Sequence, residues 1–292
     1  MDDNEWLAER FEEHRPHLHA VAYRMLGSLA EADDAVQDTW LRLSRNGADD
    51  VHNLGGWLTT VTARVCLNVL RSRKTRGEEP MDAHLPDPVV IRDPLAEPED
   101  EAVLADSVSL ALLVVLDTLS PAERLAFVLH DLFGVPFSDI GPIVGRTPDA
   151  AKMLASRARQ RVRSGSVEPD TDVRRQREVV DAFMAAARGG DFGALVELLD
   201  PDVVLRADFG AAAPAGFAPQ VRGAAQVAGR AQLFSRAGAS SRHALIDGAA
   251  GVLSWQDGRL IAVLGFTIAH GKIVAIDVLA DPERLSRLEV AG

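Results

Sequence analysis

Apolar positions recur along this sequence of 292 residues with two periods. Up to about residue 165 the period is helical. Val36, Trp40 and Leu43 stand at i, i+4 and i+7, and Leu58, Val61, Val65 and Val69 form a second stripe. Leu125, Val128, Leu129 and Leu132 form a third, ending before Gly134. Such spacing puts each set on one buried helix face. After SGSVEPDTD (164–172) the pattern changes. One amphipathic helix is predicted over about 173–188, followed by apolar alternation in 203–208, 243–249, 251–256, 260–269 and 272–280, which is the period of strands. Asp257-Gly258 is a two-residue hairpin turn, and His270-Gly271 acts likewise. The C-terminal third therefore reads as α+β, a curved antiparallel sheet with helices packed on one face.

Terminators and caps sharpen the helical part. Gly27 ends one helix, and Ser28-Leu29-Ala30-Glu31 fits a capping box for the next, Ser28 taking the Glu31 N–H and Glu31 reaching back. Ser120-Pro121-Ala122-Glu123 is a second, stronger start. Ser138 is expected to cap a short helix through Val144, stopped by Gly145, with Gly141-Pro142 tolerated near its start. Thr147-Pro148 opens another. Two short helices around a glycine-containing turn are a helix-turn-helix signature.

Composition adds an ordinary globular core, with 47% hydrophobic and 25% charged residues. The net charge of −12 argues against nucleic acid until its distribution is read. Arg64, Arg71, Arg73, Lys74 and Arg76 stand without an acid among them, and residues 141–163 hold six basic residues against Asp149 alone. Between them, residues 77–107 carry ten acids and only Arg92. Local charge governs DNA contact. Five prolines in 80–98 make that acidic stretch an extended or disordered linker. It must lie on another surface, the flanking basic helices or the C-terminal domain. Cys66 is the only cysteine, so no disulfide or cysteine metal site forms within one chain. The N-terminus lacks a signal-peptide core and no apolar run spans a bilayer, so a cytoplasmic protein with no membrane partner is expected.

Candidate chemistry lies on the polar faces. Asp34 and Asp38, four apart, repel on an isolated helix and suit a partner, or else form a solvated acidic face. Thr60, Arg64, Asn68 and Arg71 share a face headed by Trp57, which suits opened DNA: bases stack on aromatics and phosphates follow basic grooves. A lone surface Trp beside solvated arginines is the bland alternative. Lys152, Arg157, Arg159, Arg161 and Arg163 reach phosphates or guanine edges from the second helix of the helix-turn-helix. The helix dipole alone explains only one or two of them.

DAVQDTWLRL, then GGWLTTVTARVCLNVLRSRK, an acidic linker, and TLSPAERLAFVLHDLFGVPFSDIGPIVGRTPDAAKMLASRARQRVR occur in that order. Over roughly residues 5–165 the chain closely resembles bacterial extracytoplasmic-function (ECF) RNA polymerase sigma factors. The resemblance implies that Asp33, Asp34, Gln37, Asp38 and Trp40 form the face that docks on the clamp helices of core polymerase. It implies that the helix from Trp57 to Arg73, with the Asn53–Gly56 loop, melts and reads the −10 promoter element, and that the helix opened by Thr147 reads the −35 element. ARGGDFGALVELLDPDVVLRAD (187–208) resembles the opening of a SnoaL-like, NTF2-fold cone, which a subgroup of these factors carries. Two signatures of that subgroup resemble His84-Leu85-Pro86-Asp87-Pro88 and Asp281-Pro282-Glu283-Arg284-Leu285, and these imply a regulatory contact between linker and cone. The subgroup's glycine-rich motif is degraded here to ADFGAAAPAGF.

The expected organisation is a region-2-like helical domain (1–77), an acidic linker (78–106), a region-4-like helix-turn-helix domain (107–165) and the cone (172–292). Function then comes from binding core polymerase and promoter DNA, with no cofactor or metal. Two other classes compete: a ligand-responsive DNA-binding regulator acting without polymerase, and an enzyme with a helical appendage. For the enzyme, Asp208, His243, His270 and Asp277 are the catalytic candidates. A small-molecule ligand in the cone is the remaining expectation.

Overall fold

The computed structural model describes residues 3–46, 53–75, 85–92, 110–165, 169–214, 216–235, 239–288 and 290–291. The chain divides into two compact units, Met1–Glu79 with Val115–Gly165, and Pro80–Val114 with Ser166–Gly292.

The first unit is helical. Helices α1 (Asp3–Leu26), α2 (Leu29–Asn46) and α3 (Leu54–Thr75) pack pairwise. Gly27, at φ +71°, ends α1. Ser28 accepts the Glu31 N–H at 3.5 Å. Glu31 does not reach back: its carboxylate pairs with Arg73 of α3, a charged partner stronger than a backbone amide. The α3 core is wider than one stripe. Thr59, Thr62, Ala63, Cys66, Leu67 and Leu70 are buried beside Leu58, Val61 and Val65, because α1 and α2 both cover the helix; Val69 is half-buried. Thr62 satisfies its hydroxyl against Thr39 at 3.0 Å inside that core.

Helix α4 (Leu110–Asp117) leads to α5 (Pro121–Phe127), whose capping box is complete: Ser120 accepts the Glu123 N–H and Glu123 accepts from Ser120. The chain continues as a π-turn over Val128–Leu132, unforeseen in the sequence, before Gly134 at φ +68°. Helix α6 spans Phe137–Val144. Its N-cap is Pro136, not Ser138. Extended Pro136 offers its carbonyl to Asp139 and Ile140 (3.0 and 3.2 Å), so the helix begins two residues early. Helix α7 spans Pro148–Gly165 and seats Ala151, Ala155 and Ala158, all fully buried, against α5 and α6.

The second unit is a sheet of eight strands with three helices on one face and a short one on the other; it is mixed rather than wholly antiparallel, since two of its pairings run parallel. The elements are β1 (Val90–Arg92), α8 (Val173–Gly189), α9 (Phe192–Leu198), β2 (Leu199–Asp208), β3 (Gln220–Arg222), α10 (Ala224–Ser235), β4 (Ser240–Ile246), β5 (Ala249–Gln256), β6 (Arg259–Ala269), β7 (Lys272–Leu279), α11 (Pro282–Arg287) and β8 (Val290–Ala291). Their order is β3-β2-β7-β6-β5-β4-β1-β8. The hairpin turns at Asp257-Gly258 and His270-Gly271 have both residues at positive φ, as their sequences predict. A third such turn, Asp247-Gly248, ends β4 at Ile246, where alternation alone carried the strand to 249. β2 starts four residues earlier than its alternation indicated, and β3 and α10 were not foreseen.

Alternation splits the core into two layers. Val203, Leu205, Ala207, Val252, Phe266, Ile276 and Val278 face Val180, Phe183, Leu195 and Val227 of the helices. On the other face, Ala244, Ile246, Leu253, Val263 and Leu279 pack with Leu285 and with Val90. Val90 comes from the linker. Residues 85–92, from the acidic proline-rich stretch of the sequence, lie on this sheet, and Val90–Arg92 form a strand between β4 and β8.

Candidate functional site

Four surfaces carry the residues singled out in the sequence. On α2, Asp34 is exposed and Asp33 and Asp38 are held. Asp33 lies 3.3 Å from His19, and Asp38 accepts from Arg42 at 2.8 Å, so Asp38 is not the unpaired charge its spacing suggested. Gln37 is exposed. Trp40 is half-buried, its ring 5.2 Å from that of Phe11. The helix offers a mixed acidic face with an aromatic floor.

On α3, Arg64, Asn68 and Arg71 are exposed on one face with Thr60 and Trp57 half-buried beside them. Asn53 caps the helix, accepting the Gly56 N–H at 3.0 Å. Arg73 turns away, to Glu31 and the Leu26 carbonyl. Opposite this face Cys66 is buried, and burial pushes its thiol up to about 12.

On α7 the arginine run splits. Lys152, Arg157 and Arg163 are exposed, whereas Arg159 pairs with Asp131 at 2.7 Å and Arg161 with Glu123 at 2.6 Å. Thr147 accepts the Ala150 N–H at 3.2 Å and so caps the helix. Burial pushes the Glu123 carboxyl up, but the Ser120 hydrogen bonds and the Arg161 charge outweigh it and hold the group below its ordinary value.

Within the same unit α1 meets the helix-turn-helix part. Arg124, 3% exposed, pairs with Asp117 and donates to the Arg24 carbonyl at 3.3 Å. The Arg24 guanidinium stands 4.8 Å from the Phe133 ring, and His17 meets that ring edge-on at 5.2 Å. Neither arginine was picked out from sequence. The available signal was an arginine one step after SPAE, beside an apolar stripe.

The fourth surface is the linker-bearing face of the sheet. Each residue of DPERL has a local task. Asp281 caps α11 by accepting from Glu283 at 2.9 Å, Pro282 opens the helix, and Leu285 is buried. Glu283 pairs with Arg287 at 2.5 Å on the exposed side. Arg284 donates to Asp87 at 2.5 Å, to Asp208 at 2.5 Å and to the Leu85 carbonyl at 2.7 Å. Asp208 also takes the Leu85 N–H at 3.2 Å, and Asp247 takes the Val89 N–H at 3.1 Å. Leu85, Pro86 and Pro88 are buried. His84 lies outside the described residues. Val90, Ile91 and Arg92 then pair with Ile246, Leu245 and Ala244, and β8 runs parallel on the other side. Gly210, left from the degraded glycine-rich motif, sits at φ +53° where a Cβ would strike the Asp281 carboxylate.

The four catalytic candidates do not converge. Asp208 belongs to the Arg284 clasp, and Asp277 is locked to Arg206 at 2.6 and 3.1 Å. His243 pairs with Asp181 of α8 on the helical side, and His270 is an exposed turn residue. No group of three or more His, Cys, Asp or Glu suited to a metal occurs among the described residues. No helix there is long and apolar enough to cross a membrane.

Residues 10–76 match the family model for Sigma-70 region 2, and residues 109–162 that for Sigma-70, region 4. Along its whole length the chain is similar to the probable ECF RNA polymerase sigma factor SigI of Mycobacterium tuberculosis, 34% identical over 297 residues and covering 100% of both chains. The chain belongs to the ECF RNA polymerase sigma factors. It is also 37% identical to SigJ of the same organism, over 94% of this chain and 92% of that one. The crystal structure of SigJ superimposes with a TM-score of 0.73 at 33% identity, covering 97% of this chain and 99% of that one. As an ECF sigma factor the protein directs promoter recognition by core RNA polymerase. Region 2 corresponds to α1–α3 and region 4 to α4–α7. The cone and its linker strand lie outside both family models, yet inside the full-length similarity to SigI and SigJ.

Proposed function

We propose that this sigma factor carries its own regulator: the cone holds the linker between regions 2 and 4 and so restrains how far the two DNA-binding domains separate. The observation that supports this is the Arg284 clasp with its strand β1. Nine residues (76–84) lie between the end of α3 (Thr75) and Leu85, and seventeen (93–109) between Arg92 and Leu110, which makes ten and eighteen Cα-to-Cα steps. Extended chain reaches at most about 3.4 Å per residue, so the arms span no more than about 34 and 61 Å. With residues 85–92 held on the sheet, these arms replace one tether of 34 residues.

In this reading α2 docks on polymerase through Asp33, Asp34, Gln37, Asp38 and Trp40. Trp57, Thr60, Arg64, Asn68 and Arg71 face opened −10 DNA, and α7 enters the −35 major groove. Asn53, Arg73, Arg159 and Arg161 serve by shaping these surfaces. The protein works in the cytoplasm, beside polymerase and DNA, and by binding rather than turnover.

In vitro transcription by holoenzyme reconstituted with the full chain tests the clasp. Asp87→Asn with Arg284→Gln removes two of the clasp's three charges and, because glutamine is shorter and has one amide donor group, breaks the contacts of Arg284 to Asp87, Asp208 and the Leu85 carbonyl. Transcription from a cognate promoter should change while core binding stays as in the parent. Unchanged transcription would make the clasp a packing device only.

A further inference from the structure

On α7 one of the side chains aimed away from the fold is a long apolar one. At about 100° per residue, Met153 lies within about 40° of Arg157 and Gln160 and opposite the alanine seam of Ala151, Ala155 and Ala158. It is 56% exposed, while its neighbours on that face, Asp149, Lys152, Ser156, Arg157 and Gln160, are polar and exposed. Its place is the second turn of the helix, the part that meets base edges in a helix-turn-helix complex. Arg159 and Arg161 point to either side and are tied to Asp131 and Glu123 of their own unit.

An exposed, flexible thioether stem at the centre of a base-reading face has one natural counterpart in the major groove. The thymine C5-methyl is the only apolar group that base pairs present there. Arg157, one turn on, has the geometry for a guanine edge. We infer that Met153 is a specificity-determining residue that reads a thymine methyl in the −35 element, and that Arg159 and Arg161 are positioning residues that fix α7 on α5 and the π-turn. This rests on α7 being the −35 reader.

The test uses holoenzyme with the full chain, selected against duplex promoters with a randomised −35 region. Met153→Ala should erase the preference for thymine at one position and leave the guanine preference, while Arg157→Ala should erase a guanine preference instead. Replacing that thymine by deoxyuridine, which removes only the methyl, should weaken parent binding about four-fold, the worth of one buried carbon. It should not affect Met153→Ala. Arg159→Gln and Arg161→Gln should leave the salt slope of DNA binding unchanged, since a residue that releases no counterion from DNA does not enter it. Met153→Ala with every thymine preference intact overturns the Met153 assignment. A salt slope lowered by about 1 in either glutamine variant overturns the positioning role. If Arg157→Ala also leaves all −35 preferences intact, the reading of α7 itself is wrong, a distinguishable failure.

Discussion

Glu123 has three tasks in one side chain: it closes the capping box with Ser120, it ends the first turn of α5 with negative charge, and it holds Arg161. The first two were legible, because a cap is a matter of residues three apart. The third was not, since Arg161 is 38 residues away and comes near only through the packing of α5 on α7. The same limit hid the fate of Arg73 and Arg159, which sequence grouped with the DNA-facing cations. A cation's partner across a helix interface leaves no local trace. The consequence is measurable. Because the folded Glu123 carboxyl lies below its ordinary value, it stabilises the fold at neutral pH and loses that contribution as the medium is acidified through the lower, folded value. Glu123→Gln should cost about 1 kcal/mol at pH 7, from weakened capping and the lost Arg161 pair. Denaturant unfolding at descending pH should show the parent and variant converging. A gap that persists at acid pH would mean that shape, not charge, is at work.

At the scale of elements, helices were read where a stripe met a cap or a glycine stop, as in α2, α5 and α7, whereas the short α9 and α11 and the weakly patterned α10 were not. The hairpins at Asp257-Gly258 and His270-Gly271 were read from turn chemistry. Asp247-Gly248 has the same chemistry and was passed over, since apolar residues on both sides let alternation run through it. β1 was beyond reach: three residues between proline-rich acidic segments carry no period, and only the edge of β4 makes them a strand. The helix-turn-helix shows how tightly such an element is specified. A Cβ on Gly141 would stand 2.9 Å from the Arg146 carbonyl oxygen and 3.1 Å from the Pro148 nitrogen, both backbone atoms. Glycine at this point lets the turn fold back on α6, where the Arg146 N–H reaches the Gly141 carbonyl at 2.9 Å. Gly141→Ala gains about 1 kcal/mol of helix propensity, against an overpacking cost of about 1–3 kcal/mol. The net should be a destabilised turn, a displaced α7 and weaker use of the −35 element with core binding retained. An equal or higher unfolding midpoint, with normal −35 dependence, would show that the turn yields without cost.

For the molecule as a whole, charge and order of motifs made the sigma architecture legible, whereas the packing of α1 on the helix-turn-helix part was not. That packing conflicts with the act of promoter recognition. The first unit has about 130 residues, and a compact body of that size has a radius of gyration of about 14 Å, hence about 36 Å across. The −10 and −35 elements lie about 25 base pairs apart, about 85 Å of duplex at 34–36 Å per turn. One compact unit cannot touch both. On the proposed assignment of α3 to the −10 and α7 to the −35 element, the contact built from Arg124, Arg24, His17 and Phe133 opens when both elements are read. Its chemistry suits a reversible closure, since cation–π and edge contacts are each worth only about 0.5–2 kcal/mol. Cys66 makes the experiment clean, because a buried thiol pushed up to about 12 does not compete for labels. Dyes on Glu12→Cys and Ser138→Cys, both exposed positions, should show high transfer efficiency in the free protein. Efficiency should fall towards zero in the promoter complex with core polymerase. Phe133→Ala should shift the free protein part of the way. If the promoter complex keeps the efficiency of the free protein, the two faces are not read at once, and the −10 and −35 assignments of α3 and α7 cannot both stand.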